Sequence, residues 1–295
     1  MDILPLKPTS NPNIAATESG GTGKSPKISR LADVSPSAIL GEGVEIGPFC
    51  VVGPDAKIGA RTRLLNSVTV VGNTTIGTDN VIWPGCCIGG EPQDISYKGT
   101  ATQTIVGDRN TIRENVSINR ASEKEEGITR VGSDCFMMGC VHVGHDCLIG
   151  DRVILGQGTM LGGHSRIHSY ATLSGLVGVM HFASIGSYAF IGGCSRVLQD
   201  IPPYMLADGN PARCKCTNVV ALKRNGFPNE SIVAINEAFR LLFRGRVGAE
   251  NAREVLRNKG LLLPEIENIL AFLKCSRNGQ HGRGLHNPKP TVAAA

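Results

Sequence analysis

The chain has 295 residues, a formal net charge of +5, 37 glycines, 19% charged residues and only 4% aromatic residues. That length can bury a substantial core, but the shortage of aromatics removes the stacking side chains a nucleic-acid binder needs. No run of about 18 apolar residues occurs, so no membrane span is predicted.

Residues 1–27 are rich in Ser, Thr, Gly and Pro and carry no period, which predicts a flexible N-terminal tail. Gly20-Gly21-Thr22-Gly23-Lys24-Ser25 imitates a phosphate-binding loop, but Glu18 holds the first glycine position and no strand precedes it. The tail is poor in arginine for a transit peptide. It leaves two compartments open: the cytoplasm of a bacterium, or an organelle matrix such as the mitochondrial one.

From Ile28, steps of six land on Val34, Leu40, Ile46, Val52, Ile58, Leu64, Val70, Ile76, Ile82 and Ile88. The phase returns at Val106, Ile112 and Ile118, and again from Val131 through Met137, Val143, Ile149, Leu155, Leu161, Ile167, Leu173, Val179, Ile185, Ile191 and Val197. A helix cannot sustain period six and an ordinary strand alternates with period two. Period six predicts short strands joined by tight corners, with one aliphatic residue per hexad pointing inward and a small residue four positions later, as at Ala56, Thr74, Ser165 and Ala171. Glycine often follows the aliphatic, as in Ile46-Gly47 and Ile149-Gly150, and is expected to supply corner dihedrals that a β-carbon obstructs. Three hexads per coil make a triangular prism of about nine coils, its strands about 4.8 Å apart. The rod is predicted over residues 28–210.

The rhythm breaks at about 89–104 and at 121–130, two insertions expected to leave the rod as functional loops. Helical spacing then appears at Ile232, Ile235, Phe239, Leu242 and Phe243, and at Val255, Leu256, Ile266, Ile269, Leu270 and Leu273. Residues 211–275 therefore read as a helical domain, with Asn229 or Pro228 opening its longer helix and Gly245 closing it. Residues 276–295 read as a disordered tail. The stretch 211–295 carries fourteen Lys and Arg against six Asp and Glu, which predicts an anionic partner. Cys50, Cys86, Cys135 and Cys147 share the small-residue position of the repeat, so the cysteines are expected to be reduced and structural. Neither Cys86-Cys87 nor Cys214-x-Cys216 has zinc-ribbon spacing.

On the hexad grid His145 stands two residues after inward Val143, at a corner. His142 faces out beside it. His164 lies one coil above and one step around the corner, and His181 lies two coils above His145, about 10 Å away. Outward histidines clustered on one edge suit either of two chemistries: three imidazoles holding zinc, or one imidazole beside Asp146 acting as a general base.

Gly47-Pro48-Phe49-Cys50, Pro92-Gln93-Asp94, Gly107-Asp108-Arg109-Asn110, Ile112-Arg113-Glu114, Val131-Gly132-Ser133-Asp134, His145-Asp146-Cys147, Gly192-Gly193-Cys194-Ser195, Gln199-Asp200-Ile201-Pro202-Pro203-Tyr204 and Leu222-Lys223-Arg224-Asn225-Gly226-Phe227 together resemble the UDP-N-acetylglucosamine O-acyltransferases, over residues 28–275. The resemblance implies a left-handed all-β solenoid with a C-terminal helical domain. It implies acyl transfer from acyl carrier protein to the sugar 3-hydroxyl of UDP-N-acetylglucosamine, in a homotrimer whose sites lie between neighbouring rods, with no metal and no further cofactor. In that light His145 is the base, Asp146 its orienting partner and the Gly163 N–H the oxyanion donor. His142, His164 and His181 lie at substrate positions, Gln93 and Asp94 hold the sugar, Asn218 and Arg224 stand near the nucleotide, and Gly193 leaves room for a long acyl chain. The basic helical domain suits the acidic carrier. The chain departs from the usual pattern at Ser96, Met180, His181, Val220 and Asn225.

Three other readings predict different features. A zinc carbonic anhydrase of related fold favours wider ligand spacing than His142-x₂-His145. An N-acyltransferase of the same pathway adds a folded N-terminal domain. A β-helical scaffold subunit has no need of an intact His-Asp pair.

Overall fold

A computed structural model describes residues 24–278. The four leading residues of the imitation phosphate loop, all but four residues of the N-terminal tail and all but three of the C-terminal tail lie outside the described residues. Those last three, Ser276, Arg277 and Asn278, continue a helix.

Most strands are two residues long and end on the inward aliphatic, as at Glu45–Ile46, Val51–Val52 and Lys57–Ile58. They assemble into three sheets whose members recur every third strand, so the chain is a three-faced parallel β-helix. The first face begins with Lys27–Ile28, the second with Asp33–Val34 and the third with Ile39–Leu40. Ile28 pairs with Ile46, and Ile46 with Leu64, a register of one coil per 18 residues. Ile58, Leu64, Ile76, Ile82, Ile112, Leu155 and Leu173 are each 2% exposed or less, and burying one such side chain contributes about 1.5–3 kcal/mol. The small residues fill the remaining space: Ala56, Thr74, Ser165, Ala171 and all four repeat-position cysteines are buried. All ten cysteines are free thiols. Burial pushes Cys135 up to about 12 and Cys147 up to about 11, which makes them inert.

The corner dihedrals are not where the repeat suggested. Left-handed φ falls three residues after the inward aliphatic, on Phe49, Arg61, Asp79, Asp134, Asp146, His164 and Phe182 among others, with φ between 57° and 63° at these seven. The glycine directly after the aliphatic has another reason. A β-carbon on Gly47 would lie 1.9 Å from the Leu65 carbonyl oxygen, and one on Gly59 2.5 Å from the Gly77 carbonyl carbon. Successive coils touch backbone to backbone here, and only hydrogen fits between them. Gly47→Ala is therefore expected to cost about 1–3 kcal/mol in a denaturant melt, whereas Gly193→Ala, whose β-carbon meets nothing closer than 3.5 Å, leaves the melt unchanged.

Both insertions leave the corner between the second and third faces. The first lies between strands Cys87–Gly90 and Gln103–Val106, the second between Ser117–Asn119 and Ile128–Val131. The register jumps accordingly, Val81 pairing with Thr111 and Ser117 with His142. A buried amide ladder bridges these widened steps on the opposite corner. Asn80 Oδ1 accepts from the Asn110 N–H at 2.9 Å, and Asn110 Oδ1 from the Cys135 N–H at 2.8 Å.

The rod closes with an antiparallel pair, Met205–Gly209 and Ala212–Thr217. Residues 212–217 are thus strand rather than helix, because the first face still offers an unpaired edge that they cover. Helices follow at α1 (Val219–Arg224), α2 (Asn229–Phe239), α3 (Ala249–Asn258) and α4 (Pro264–Asn278). Pro228 precedes α2, and a π-helical turn, Arg240–Arg244, carries it to Gly245. Ile232, Ile235, Phe239, Leu256, Ile266, Ile269 and Leu270 form the buried side. Stacked Tyr170, Tyr188 and Tyr204, with Phe227 edge-on to the last two, anchor the helices to the rod. Among the described residues no helix is long and apolar enough to cross a membrane.

Candidate active site

Two columns of side chains run up the corner between the second and third faces. His145, Gly163 and His181 occupy one repeat position on successive coils. Asp146, His164 and Phe182 occupy the next, each with left-handed φ. Backbone bonds lock the columns together, the His164 N–H donating to the His145 carbonyl at 2.9 Å and the Phe182 N–H to that of Gly163 at 3.1 Å.

Asp146 is 2% exposed, and its Oδ2 receives three donors: the Ser122 N–H at 2.9 Å, the Ser122 hydroxyl at 2.7 Å and His145 Nδ1 at 2.8 Å. Its own N–H donates to Thr129 Oγ1 at 2.8 Å. Burial raises the Asp146 carboxyl, but the His145 and Ser122 hydrogen bonds outweigh it and hold the group below its ordinary value. An ionised carboxylate only accepts, so the neutral His145 ring carries its proton on Nδ1 and presents a bare Nε2 lone pair. That nitrogen faces the one residue in the column without a side chain: a β-carbon on Gly163 would lie 2.6 Å from it. The Gly163 N–H has no acceptor among the described residues.

His164 corrects the outward reading of the histidines. It is 4% exposed, its ring stacked on Phe182 at 4.3 Å and edge-on to His145 at 5.1 Å. Asp146 and Phe182, its neighbours on the column, and Glu125 of the second insertion cover it. Its Nε2 lies 3.7 Å from Asp146 Oδ2 and its Nδ1 3.5 Å from Glu125 Oε1. His142 is half-buried and shares a 2.8 Å hydrogen bond between its Nδ1 and Ser117 Oγ. His181 is exposed, edge-on to Phe182 at 5.7 Å.

Burial pushes the His142 and His164 imidazoles below the ordinary 6.5, nearby His145 adding to the effect at His142. Unfolded chains take up these protons near 6.5 and the folded chain only at lower pH, so between those values the unfolded state binds more protons. Stability is therefore lost as pH falls from about 6.5 toward the folded values. Melting temperature is expected to decline between pH 7 and 5, with a shallower slope in the His142→Gln, His164→Gln double variant.

Gln93 and Asp94 lie in the first insertion, on this same corner, Gln93 exposed and Asp94 paired with Lys124. The other expected site residues lie elsewhere. Gly193 is exposed on the corner between the first and second faces, after strand Phe190–Ile191. Asn218, 7% exposed, caps α1 by accepting from the Ala221 N–H, and donates to the Tyr188 carbonyl at 2.8 Å on the third corner. Arg224 is exposed at the end of α1. One chain thus gathers the dyad and the two loops, and holds Gly193, Asn218 and Arg224 on its other corners.

Ser122, Lys124, Glu125 and Thr129 escaped the sequence reading. All fall in the second break of the rhythm, which was the one signal available for them, but a segment without a period assigns no contact to any residue.

The arrangement can act as a general base backed by a carboxylate. His145, Asp146 and His164 also offer donor atoms within 4.8 Å of one another, a spacing a metal ion could bridge. Asp146 Oδ2 and His145 Nδ1 are committed to each other and to Ser122, which leaves His145 Nε2 and the unpartnered, buried Asp146 Oδ1 as the atoms such an ion would take.

Residues 200–285 match the family model described as Udp N-acetylglucosamine O-acyltransferase, domain 2, and residues 37–70 match bacterial transferase hexapeptide (six repeats). The acyl-[acyl-carrier-protein]–UDP-N-acetylglucosamine O-acyltransferase of Thermodesulfovibrio yellowstonii is 41% identical over 253 residues, covering 86% of this chain and 98% of its own. Its counterpart in Verminephrobacter eiseniae is 36% identical over 250 residues, covering 83% and 95%. The crystal structure of LpxA from Acinetobacter baumannii superposes with a TM-score of 0.82 at 34% identity, covering 87% of this chain and 98% of that one.

Proposed function

Since the chain belongs to the UDP-N-acetylglucosamine O-acyltransferase family, we propose that it transfers an (R)-3-hydroxyacyl group from acyl carrier protein to the 3-hydroxyl of UDP-N-acetylglucosamine, the first step of lipid A biosynthesis. The observation that carries the mechanism is the bare Nε2 of His145, backed through Nδ1 by a carboxylate that Ser122 holds ionised.

His145 Nε2 takes the sugar hydroxyl proton as that oxygen attacks the thioester carbonyl. The resulting oxyanion accepts from the Gly163 N–H, a fixed donor with no competing acceptor among the described residues. Asp146 stabilises the imidazolium. Collapse of the tetrahedral intermediate breaks the carbon–sulfur bond, and His145 returns its proton to the departing carrier thiolate. His142, His164 and His181 line the approach, and Gln93 and Asp94 hold the sugar. Arg224 meets the phosphates, for which a guanidinium is suited, and Asn218 orients the helix that carries it. Gly193 leaves the acyl path open.

A homotrimer completes the site, the corner between the first and second faces of one protomer (its first corner) facing the corner between the second and third faces of the next. The exposed apolar side chains support this, since Phe49, Met138 and Leu176 lie on the first corner and Ile154 and Met160 on the faces beside it. The acidic carrier meets the basic helical domain. The reaction takes place in an aqueous compartment that holds the carrier, a bacterial cytoplasm or an organelle matrix.

Mass spectrometry of the product from 3-hydroxyacyl carrier protein and UDP-N-acetylglucosamine tests the reaction, with light scattering for the assembly. A 3-O-acylated sugar nucleotide from a particle of three-chain mass is expected. A folded trimer that makes no acylated sugar nucleotide with any chain length would point instead to a scaffold subunit.

A further inference from the structure

The two insertions meet at an ion pair that the dyad chemistry leaves unexplained. Lys124 Nζ lies 2.6 Å from Asp94 Oδ2, with the Asp94 side chain 10% and the Lys124 side chain 47% exposed. Asp94 Oδ1 accepts from the Ser96 N–H at 2.9 Å and the Ser96 hydroxyl at 2.8 Å. The Lys124 hydrogen bond, followed by those from Ser96, holds the Asp94 carboxyl well below the usual carboxylate range. More contacts close the seam between the loops: Arg120 to Glu91 at 2.9 Å, the Thr100 hydroxyl to Glu123 at 3.1 Å, and the Asn119 amide to the Glu91 carbonyl.

Lys124 stands two residues after Ser122, the residue that holds the dyad carboxylate, and its own N–H donates to Ser122 Oγ at 3.4 Å. A single turn of loop therefore fixes both Asp146 and Asp94. A partly exposed ion pair adds little to stability. An ammonium has three protons and a carboxylate oxygen more than one lone pair, so the couple retains a donor and an acceptor beyond their mutual bond.

We propose that Lys124 is a specificity-determining residue of the acceptor subsite, pairing with Asp94 as a donor–acceptor couple for a ligand hydroxyl while holding that carboxylate in place. A neutral sugar hydroxyl, which both donates and accepts, fits this couple, whereas the ammonium repels a cationic amine acceptor. The inference rests on the reading of the acceptor as a UDP-linked sugar and adds a residue from the second insertion to its recognition.

The test measures UDP-N-acetylglucosamine binding by calorimetry and transfer by steady-state kinetics, in the native protein and in Lys124→Met, Lys124→Arg, Asp94→Asn and the Lys124→Met, Asp94→Asn double variant. Losing a hydrogen bond from a charged group is expected to raise the acceptor Kd and KM about tenfold or more in Lys124→Met. The KM for acyl carrier protein and the pH profile of kcat stay unchanged, and Lys124→Arg recovers most of the affinity. In the Asp94→Asn background, Lys124→Met adds less than its effect alone. Unchanged acceptor affinity in Lys124→Met, fully additive variants, or equal losses toward both substrates with a lowered melting temperature would each overturn the proposal. A native protein that binds the sugar nucleotide without transferring to it would overturn the reaction reading alone. One that transfers with normal affinity after Lys124→Met would overturn the Lys124 proposal alone, and one that neither binds nor transfers would overturn both.

Discussion

His145→Ala is expected to lower kcat for acyl transfer by about three orders of magnitude or more while the protein stays folded. General-base catalysis contributes about 10²–10⁴-fold, and loss of the ring also removes the proton donor for the departing thiolate. The fold tolerates the change because Asp146 Oδ2 keeps both Ser122 donors, so no buried charge is stranded. Steady-state kinetics beside a thermal melt check this. A variant with native melting and more than a tenth of native kcat would remove His145 from the mechanism.

Gly163→Ala should produce the second largest loss, about a hundredfold in kcat, from one added methyl group. Its β-carbon would stand 2.5 Å from His145 Cε1 and 2.6 Å from Nε2, so the ring must move. Behind the ring are Asp146, bonded at 2.8 Å, and the edge of His164 at a 5.1 Å centroid distance, so it swings out of line rather than backing away. A displacement of about 1 Å at reacting groups costs on the order of 10²-fold. The clash is with a side chain and not with backbone, so the melting temperature should stay close to native, unlike that of Gly47→Ala. Native kcat in Gly163→Ala would show that the space above His145 Nε2 is not where the sugar hydroxyl sits.

The period of six made the rod, its phase and the two breaks legible, because each inward aliphatic must recur once per strand for the prism to close. Counting along that grid also placed His181 two coils above His145, with Gly163 supplied by the resemblance alone. The grid misled where an insertion covers a corner residue. Phe49 and Leu176 share the left-handed φ of His164 and stay exposed, so His164 is buried instead by Phe182, by Asp146 and by Glu125 of the second insertion, which the grid does not locate. Glycine after the aliphatic marked backbone contact between coils rather than a dihedral need, two causes that leave the same trace in a sequence. Ser122 and Lys124 stayed hidden because insertion residues have no repeat to fix their neighbours. Gly193 and Arg224 are readable as residues, but their corners lie apart from His145 on one chain, and single-chain periodicity encodes nothing that would join them.

The general-base account is most directly exposed by the rate of acyl transfer from 3-hydroxyacyl carrier protein after exhaustive chelation, because His145, Asp146 and His164 are close enough to serve as metal ligands instead. If His145 Nε2 serves the sugar hydroxyl as a base, with Nδ1 held by Asp146 Oδ2, the stripped protein should retain its full kcat, and added Zn²⁺ should not raise it. A rate that vanishes on chelation and returns with Zn²⁺ would contradict the base mechanism and make the three residues ligands.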